Sequence, residues 1–169
     1  MPTVTPIDRI YLHFSTSKKI AIAAFSAGPA KHPFPVDDLI RQVTSDRLTL
    51  AGFHLRSGDH LTLISDFRSA ISRYYYAMYH SARAVVFAEE KGDDFERHAE
   101  LPRHLPKNMH GRAEREAALI DARLLRNEAD YDCYPADPSI WQSDARSLAV
   151  IAASFVQSCE EFALSNGHI

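Results

Sequence analysis

The chain has 169 residues, 46% of them hydrophobic and 24% charged, with a formal net charge of −3; this is the composition of an ordinary globular domain with a core of its own. The slight acidic balance excludes a strongly basic, sequence-independent nucleic-acid binder, but a local basic groove depends on placement rather than on net charge. No uninterrupted apolar run approaches the roughly 18 residues of a membrane span, so no membrane partner is expected.

Two cysteines, Cys133 and Cys159, lack metal-site spacing and read as reduced thiols of a cytoplasmic protein. Lys18-Lys19 followed by Ile20 to Phe25 imitates a signal peptide only faintly, because the apolar stretch is short and starts late.

Residues 1–33 differ from the rest and read as an N-terminal arm or a small β-hairpin. Ile10, Leu12 and Phe14 alternate, as do Ile20, Ile22 and Ala24, with the turn-like Ser15-Thr16-Ser17-Lys18 between them. A short helix is the other option. Gly28-Pro29 and Pro33 to Pro35 then form a breaker-rich linker.

Residues 36–165 read as helices. The first is expected from Val36 to Leu55, closed by Gly58. The second runs from Phe67 to Lys91, with Asp66 as N-cap and Gly92 as stop. Its residues Phe67, Ala70, Ile71, Tyr74, Met78, Ala82 and Val85 form one apolar stripe. A broken segment from His98 to Met109 is interrupted by Pro102 and Pro106. A helix from Gly111 to Tyr131 follows. Asp137-Pro138 then offers an N-cap and first-turn proline for a last helix that buries Trp141, Ala145, Leu148, Ala152, Phe155, Cys159 and Phe162. The expected fold class is all-α: an up-and-down bundle of four long helices plus a short broken one.

On a helical wheel, Gly111 to Tyr131 carries two apolar arcs. One holds Ala118, Ala122, Leu125 and Ala129; the other holds Ala113, Ala117, Ile120, Leu124 and Tyr131. Glu114, Asp121 and Glu128 lie between them on one side, and Arg112, Glu116, Arg123, Arg126, Asn127 and Asp130 on the other. Two arcs predict two packing surfaces, the second a further layer of the bundle or a dimer interface, with Arg126 at the seam. Arg126 and Asp130 are four apart and can pair. The second helix has its own polar edge in Arg73, Tyr76, His80 and Arg83. Arginine grips phosphate and aromatic rings stack on bases, so Arg73, Tyr76, Arg83, Arg123, Asp130 and Tyr131 are candidate RNA- or nucleotide-binding residues. The plainer reading of both edges is a solvated face with ordinary ion pairs.

Ser72-Arg73-Tyr74-Tyr75-Tyr76-Ala77-Met78-Tyr79-His80-Ser81-Ala82-Arg83 resembles the second-helix signature of HEPN-domain proteins. Arg126-Asn127-Glu128-Ala129-Asp130-Tyr131-Asp132 resembles the end-of-helix signature of the same family. Order and separation fit as well, over roughly Val36 to Leu164. The resemblance implies an all-α bundle that often forms homodimers, and an RNA-directed function, often as a toxin paired with a nucleotidyltransferase-like antitoxin or as part of a defence system. In the ribonuclease members an arginine, a polar residue, three more residues and a histidine form the site. Arg126 and Asn127 match the first two, but Tyr131 stands at the histidine position, in an ending closer to the Ala-Asp-Tyr subgroup. A phenol with an ordinary pKa near 10 is a poor general base. His80, on the helix of the other signature, is the candidate substitute in a catalytic set with Arg126 and Asn127.

His98, His104 and His110 are six apart, a spacing that fits no helical metal pair, and no metal or cofactor is expected. No phosphate-binding glycine loop or GxSxG stands out. Three functions stay open: a nucleotide- or RNA-binding module without standard ribonuclease chemistry, a metal-free endoribonuclease using Arg126 with His80 or a dimer partner, and a dimerisation or interaction protein in which Arg126 is structural.

Overall fold

The computed structural model of the chain describes residues 4–26 and 35–169. Among them there is no strand. The order is α1 (Pro6–Ser15), α2 (Lys19–Ser26), α3 (Val36–Leu63), α4 (Phe67–Glu90), α5 (Arg112–Tyr131) and α6 (Gln142–Ser165). A 3₁₀ turn at Leu101–His104 breaks the segment between α4 and α5, and another at Pro138–Trp141 leads into α6.

α4 is the centre. The apolar stripe expected on it is buried throughout, and Ala77, Ala84, Val86 and Phe87 on other faces are buried too. A helix covered nearly all round needs neighbours on several sides, and α3, α5 and α6 supply them. The α6 stripe from Trp141 to Phe162 is likewise buried. Pro138–Ser165 is apolar and long enough to pass a composition test for a membrane span, but this stripe is packed in the bundle core. Asp66 caps α4 by accepting from Ser69 N, and Asp137 accepts from Ser139 N at 2.9 Å. At the end of α4 it is Lys91 that turns left-handed, at φ 55°, while Gly92 N donates to Phe87 O.

The hairpin expectation is overturned. Thr5 caps α1 through a capping box: its hydroxyl accepts from Asp8 N, and Asp8 accepts from Thr5 N at 2.8 Å. With Pro6 opening the first turn, the chain is helical from there. The alternation of Ile10, Leu12 and Phe14 has no packing counterpart: Phe14 is buried edge-on to Phe87, and Ile10 and Leu12 are exposed. The linker expected at Gly28-Pro29 and Pro33-Phe34 lies outside the described residues, and Pro35 directly precedes α3.

The arm formed by α1 and α2 is strapped to the segment after α4. Asp93 N donates to Ser17 O, Lys18 Nζ bonds Asp93 O and Glu96, and Lys19 N donates to Asp94. Gly92 permits this approach, since a Cβ there would sit 2.3 Å from Lys19 N.

The expected end of α3 at Gly58 is also corrected. The helix continues to Leu63, and Gly58 is buried inside it because the Tyr74 ring packs on its Cα. A Cβ at Gly58 would lie 2.6 Å from Tyr74 Cε1. That ring is fixed by burial and by its hydroxyl, which donates to Asp59 and lies 3.0 Å from the Thr62 hydroxyl. Gly58→Ala is therefore expected to destabilise the protein, although alanine gains about 1 kcal/mol of helix propensity. Overpacking a locked core position costs about 1–3 kcal/mol, and a clash this close lies toward the upper end. A thermal melt of the variant at or above the wild type would refute the packing account.

Candidate functional site at the α4–α5 seam

Four tyrosines emerge within six residues of α4 and cannot share one face. Tyr74, Tyr75 and Tyr79 are buried and Tyr76 is half-buried. Every hydroxyl finds a partner, as buried phenols require. Tyr74 donates to Asp59, Tyr79 donates to Glu96 O at 2.6 Å, Tyr75 bonds His98 Nδ1, and Tyr76 accepts from Arg126 Nη2 at 3.0 Å.

Arg126 sits between two phenol rings, its guanidinium carbon 5.4 Å from the ring centre of both Tyr76 and Tyr131. Nη1 donates to Asn127 Oδ1 at 3.2 Å. Nε lies 2.6 Å from Asp130 Oδ2, an ion pair in which the N–H is not aimed at the oxygen. Burial works against the charge of Arg126, but Asp130, Tyr76 and Tyr131 outweigh it and the net shift of its pKa is upward. The i, i+4 pair anticipated on the wheel is therefore present. Ser72 Oγ donates to Asp130 from α4, and Arg68 donates to Ala129 O and Asp132 O at the end of α5 while its guanidinium lies over Trp141. The site is thus held to α4 at three points.

Of the other candidates, Arg73 has its guanidinium carbon 5.6 Å from the Tyr76 ring centre. Arg123 is half-buried, and its Nε has no hydrogen-bond partner among the described residues. Neither Arg73 nor Arg123 is ion-paired with a carboxylate among them. Arg83 is different: it grips the buried Asp93 with Nε and Nη2, so its charge holds the loop after α4. Tyr131 is 70% exposed and offers a free ring face beside Arg126.

His80 stacks in parallel on His54 of α3, ring centres 5.2 Å apart at 3°. No hydrogen bond or ion pair joins His80 to Arg126 among the described residues; they meet through Tyr76, 6.3 Å from His80. Burial, then the neighbouring His54 and the cations Arg47 and Arg83, push the His80 pKa down to about 4. Sequence reasoning singled out neither His54 nor the role of His98. His98 stacks on Tyr79 at 4.2 Å and crosses Tyr76 edge-on. Its pKa is lowered by burial, then by Arg126 and Arg123, as that of His54 is by burial and then by Arg73. His54 had a signal: Arg47, Ala51, His54 and Gly58 share one helical face of α3, and two polar residues on a core-facing stripe mark a site. His98 had none, since it follows Gly92 in an irregular segment without period.

The second apolar arc of α5 is not covered by the described residues. Ala113, Ala117 and Leu124 are exposed and Ile120 is half-buried, whereas Ala122, Ala129 and Leu119 face the core. No three His, Cys, Asp or Glu side chains among the described residues are placed to share a metal ion, and His104 stacks on Phe95, away from His98. Compared with known proteins, the chain matches no family model, no curated protein and no solved structure.

Proposed function

We propose that the chain is a HEPN-like helical module that binds RNA or a nucleotide along the α4–α5 seam, without the standard ribonuclease chemistry of that family. The observation that carries this reading is the clasped Arg126. Its polar edges are taken by Tyr76, Asn127 and Asp130, and its faces lie beside two rings. A guanidinium so engaged supports a stacking platform more readily than it reaches a developing phosphorane. Tyr131 then presents its exposed face to a base, and Arg73 and Arg123 supply phosphate-binding charge. The exposed arc of α5 supports a homodimer, and a nucleotidyltransferase-like partner in a toxin–antitoxin or defence setting belongs to the same reading.

The test is fluorescence anisotropy with a short labelled oligoribonucleotide and with a mononucleotide. Tyr131→Ala should weaken binding by about 1–3 kcal/mol, and Arg73→Ala should lower the salt slope by about one. Tight binding that both variants leave untouched would reject the seam as the site.

One observation favours a second reading, a metal-free endoribonuclease. His98 stands edge-on to Tyr76, whose hydroxyl accepts from Arg126, and burial and then Arg126 and Arg123 lower its pKa. Cleavage of total RNA that stops in both Arg126→Ala and His98→Gln, but continues in His80→Gln, would select this reading over the first. The bonds of Arg126 to α4 favour a structural role as the third. There Arg126→Ala lowers the melting temperature and leaves RNA binding unchanged.

A further inference from the structure

On the far side of the His54–His80 pair, α1 leans against α3 and α4 and leaves a cleft of about 390 Å³. Arg47, His80 and Arg83 line it on the bundle side. The two guanidiniums share one carboxylate, Asp93, so the buried inner end of the cleft carries one net positive charge, while Asp8 and Asp46 place negative charge on its exposed part. Arg47 is only 8% exposed, and its Nη1 is buried with no hydrogen-bond acceptor among the described residues. Its other terminal nitrogen bonds Ser15 O and lies 3.3 Å from Asp93. Burial, and next the like charge of Arg83, bring the Arg47 pKa down to about 10, so it stays charged at neutral pH.

The opposite walls are apolar or aromatic: Leu12 and Tyr11 from α1, Val43 and Leu50 from α3. Two carboxylates, Asp8 and Asp46, stand at the rim. Both are exposed and hydrogen-bonded only by neutral groups, Asp8 by Thr5 and Asp46 by Gln42, so they keep their charge and solvent screens it. An apolar cleft with a few convergent polar groups is the usual form of a small-molecule site.

We propose that this cleft binds a small organic anion, a carboxylate or phosphomonoester on an apolar body. The anionic head lies toward Arg47 and Arg83, and the body packs between Tyr11, Leu12 and Leu50. Nη1 of Arg47 lies below the cleft surface, so the head reaches it by a small outward swing of the guanidinium. The site is separate from the α4–α5 seam, with His80 in the wall between them.

The experiment titrates the full chain with benzoate and with phenyl phosphate, following arginine Nε–H resonances by NMR and the heat of binding. Benzyl alcohol and inorganic phosphate are the arms lacking the charge and the body. At least one organic anion should bind saturably at millimolar concentration or below, shift the Arg47 or Arg83 resonances, and bind more tightly than either control. Leu50→Trp should fill the mouth and weaken binding at least tenfold, about 1.4 kcal/mol, and Tyr11→Ala on the other wall should weaken it as well. Arg73→Ala at the seam should change nothing. No saturable shift with either anion, inorganic phosphate binding as tightly as phenyl phosphate, or affinity unchanged in both wall variants would overturn the site. Affinity lost in Arg73→Ala would move the anion to the seam and overturn it as well, whereas failure of RNA binding leaves this result untouched.

Discussion

Asp93→Asn should be among the most damaging single substitutions in this protein, lowering stability by about 3–5 kcal/mol and the melting temperature by roughly 6–20 °C. Asp93 is 4% exposed and is held by Arg83 from α4 and Arg47 from α3. Burial alone would make Arg83 easier to deprotonate, but its hydrogen bond to Asp93 and the carboxylate's charge reverse this and raise its pKa. An asparagine keeps the shape and leaves two guanidiniums facing each other in a poorly solvated place. That uncompensated charge, rather than the lost contact, is the main cost. The backbone straps from Asp93 to Ser17 and Lys18 remain in the variant, so the loss should appear as global destabilisation and not merely as release of the arm. Chemical and thermal unfolding followed by circular dichroism measures it. A variant within about 1 kcal/mol of wild type would mean that water, not Asp93, neutralises the pair.

The second large effect is acid lability. His80, His54 and His98 all have pKa values depressed below the ordinary imidazole value of 6.5, His80 to about 4. Burial is the first cause in each. For His54 the next is Arg73; for His80 it is His54 with Arg47 and Arg83; for His98 it is Arg126 and Arg123. The native state therefore holds these rings neutral, while the unfolded chain takes up protons once pH falls through about 6.5. Their contribution is present in full above that pH and is lost as pH falls toward the folded-state values, near 4 for His80. That span corresponds to about 3 kcal/mol for His80. Its ring is partly screened by solvent, so about 1–2 kcal/mol is expected from it, and His54 and His98 act in the same direction.

Carboxylates such as Glu96, held low chiefly by its hydrogen bond to Lys18, enter as pH approaches the ordinary glutamate value of 4.5. Urea unfolding from pH 7.5 to about 5.5 thus reports chiefly the imidazoles. The slope should flatten in His80→Gln. Equal slopes in wild type and variant would show that His80 is not the titrating group.

The long helices were legible because each buries a continuous stripe. Trp141 to Phe162 on α6 and Phe67 to Val85 on α4 repeat at helical spacing, and their caps, Asp137 and Asp66, stand where local hydrogen bonding requires them. The Arg126–Asp130 pair was legible for the same reason, since four residues make one turn. α1 was misread: Ile7, Ile10, Tyr11 and Phe14 recur at helical spacing and Thr5–Asp8 makes a capping box, but over ten residues the alternation of Ile10, Leu12 and Phe14 competes with that stripe and suggested a hairpin. Gly58 was misread because a glycine that ends a helix and one that admits a neighbouring ring look alike in sequence.

The all-α class, the apolar stripe of α4 and the polar strip around Arg126 were readable from the sequence, because helical periodicity is a property of neighbours within a few turns. That α4 is covered nearly all round, and what the strip touches, came from the packing of the helices. Tyr76 meets Arg126 from fifty residues away, His98 enters from an irregular segment, and Arg83 turns from the seam to Asp93. The same packing also decided that Arg47 and Arg83 converge beneath α1. Such encounters follow from how whole helices cross and where loops return, and side chains distant in sequence carry no periodic record of them.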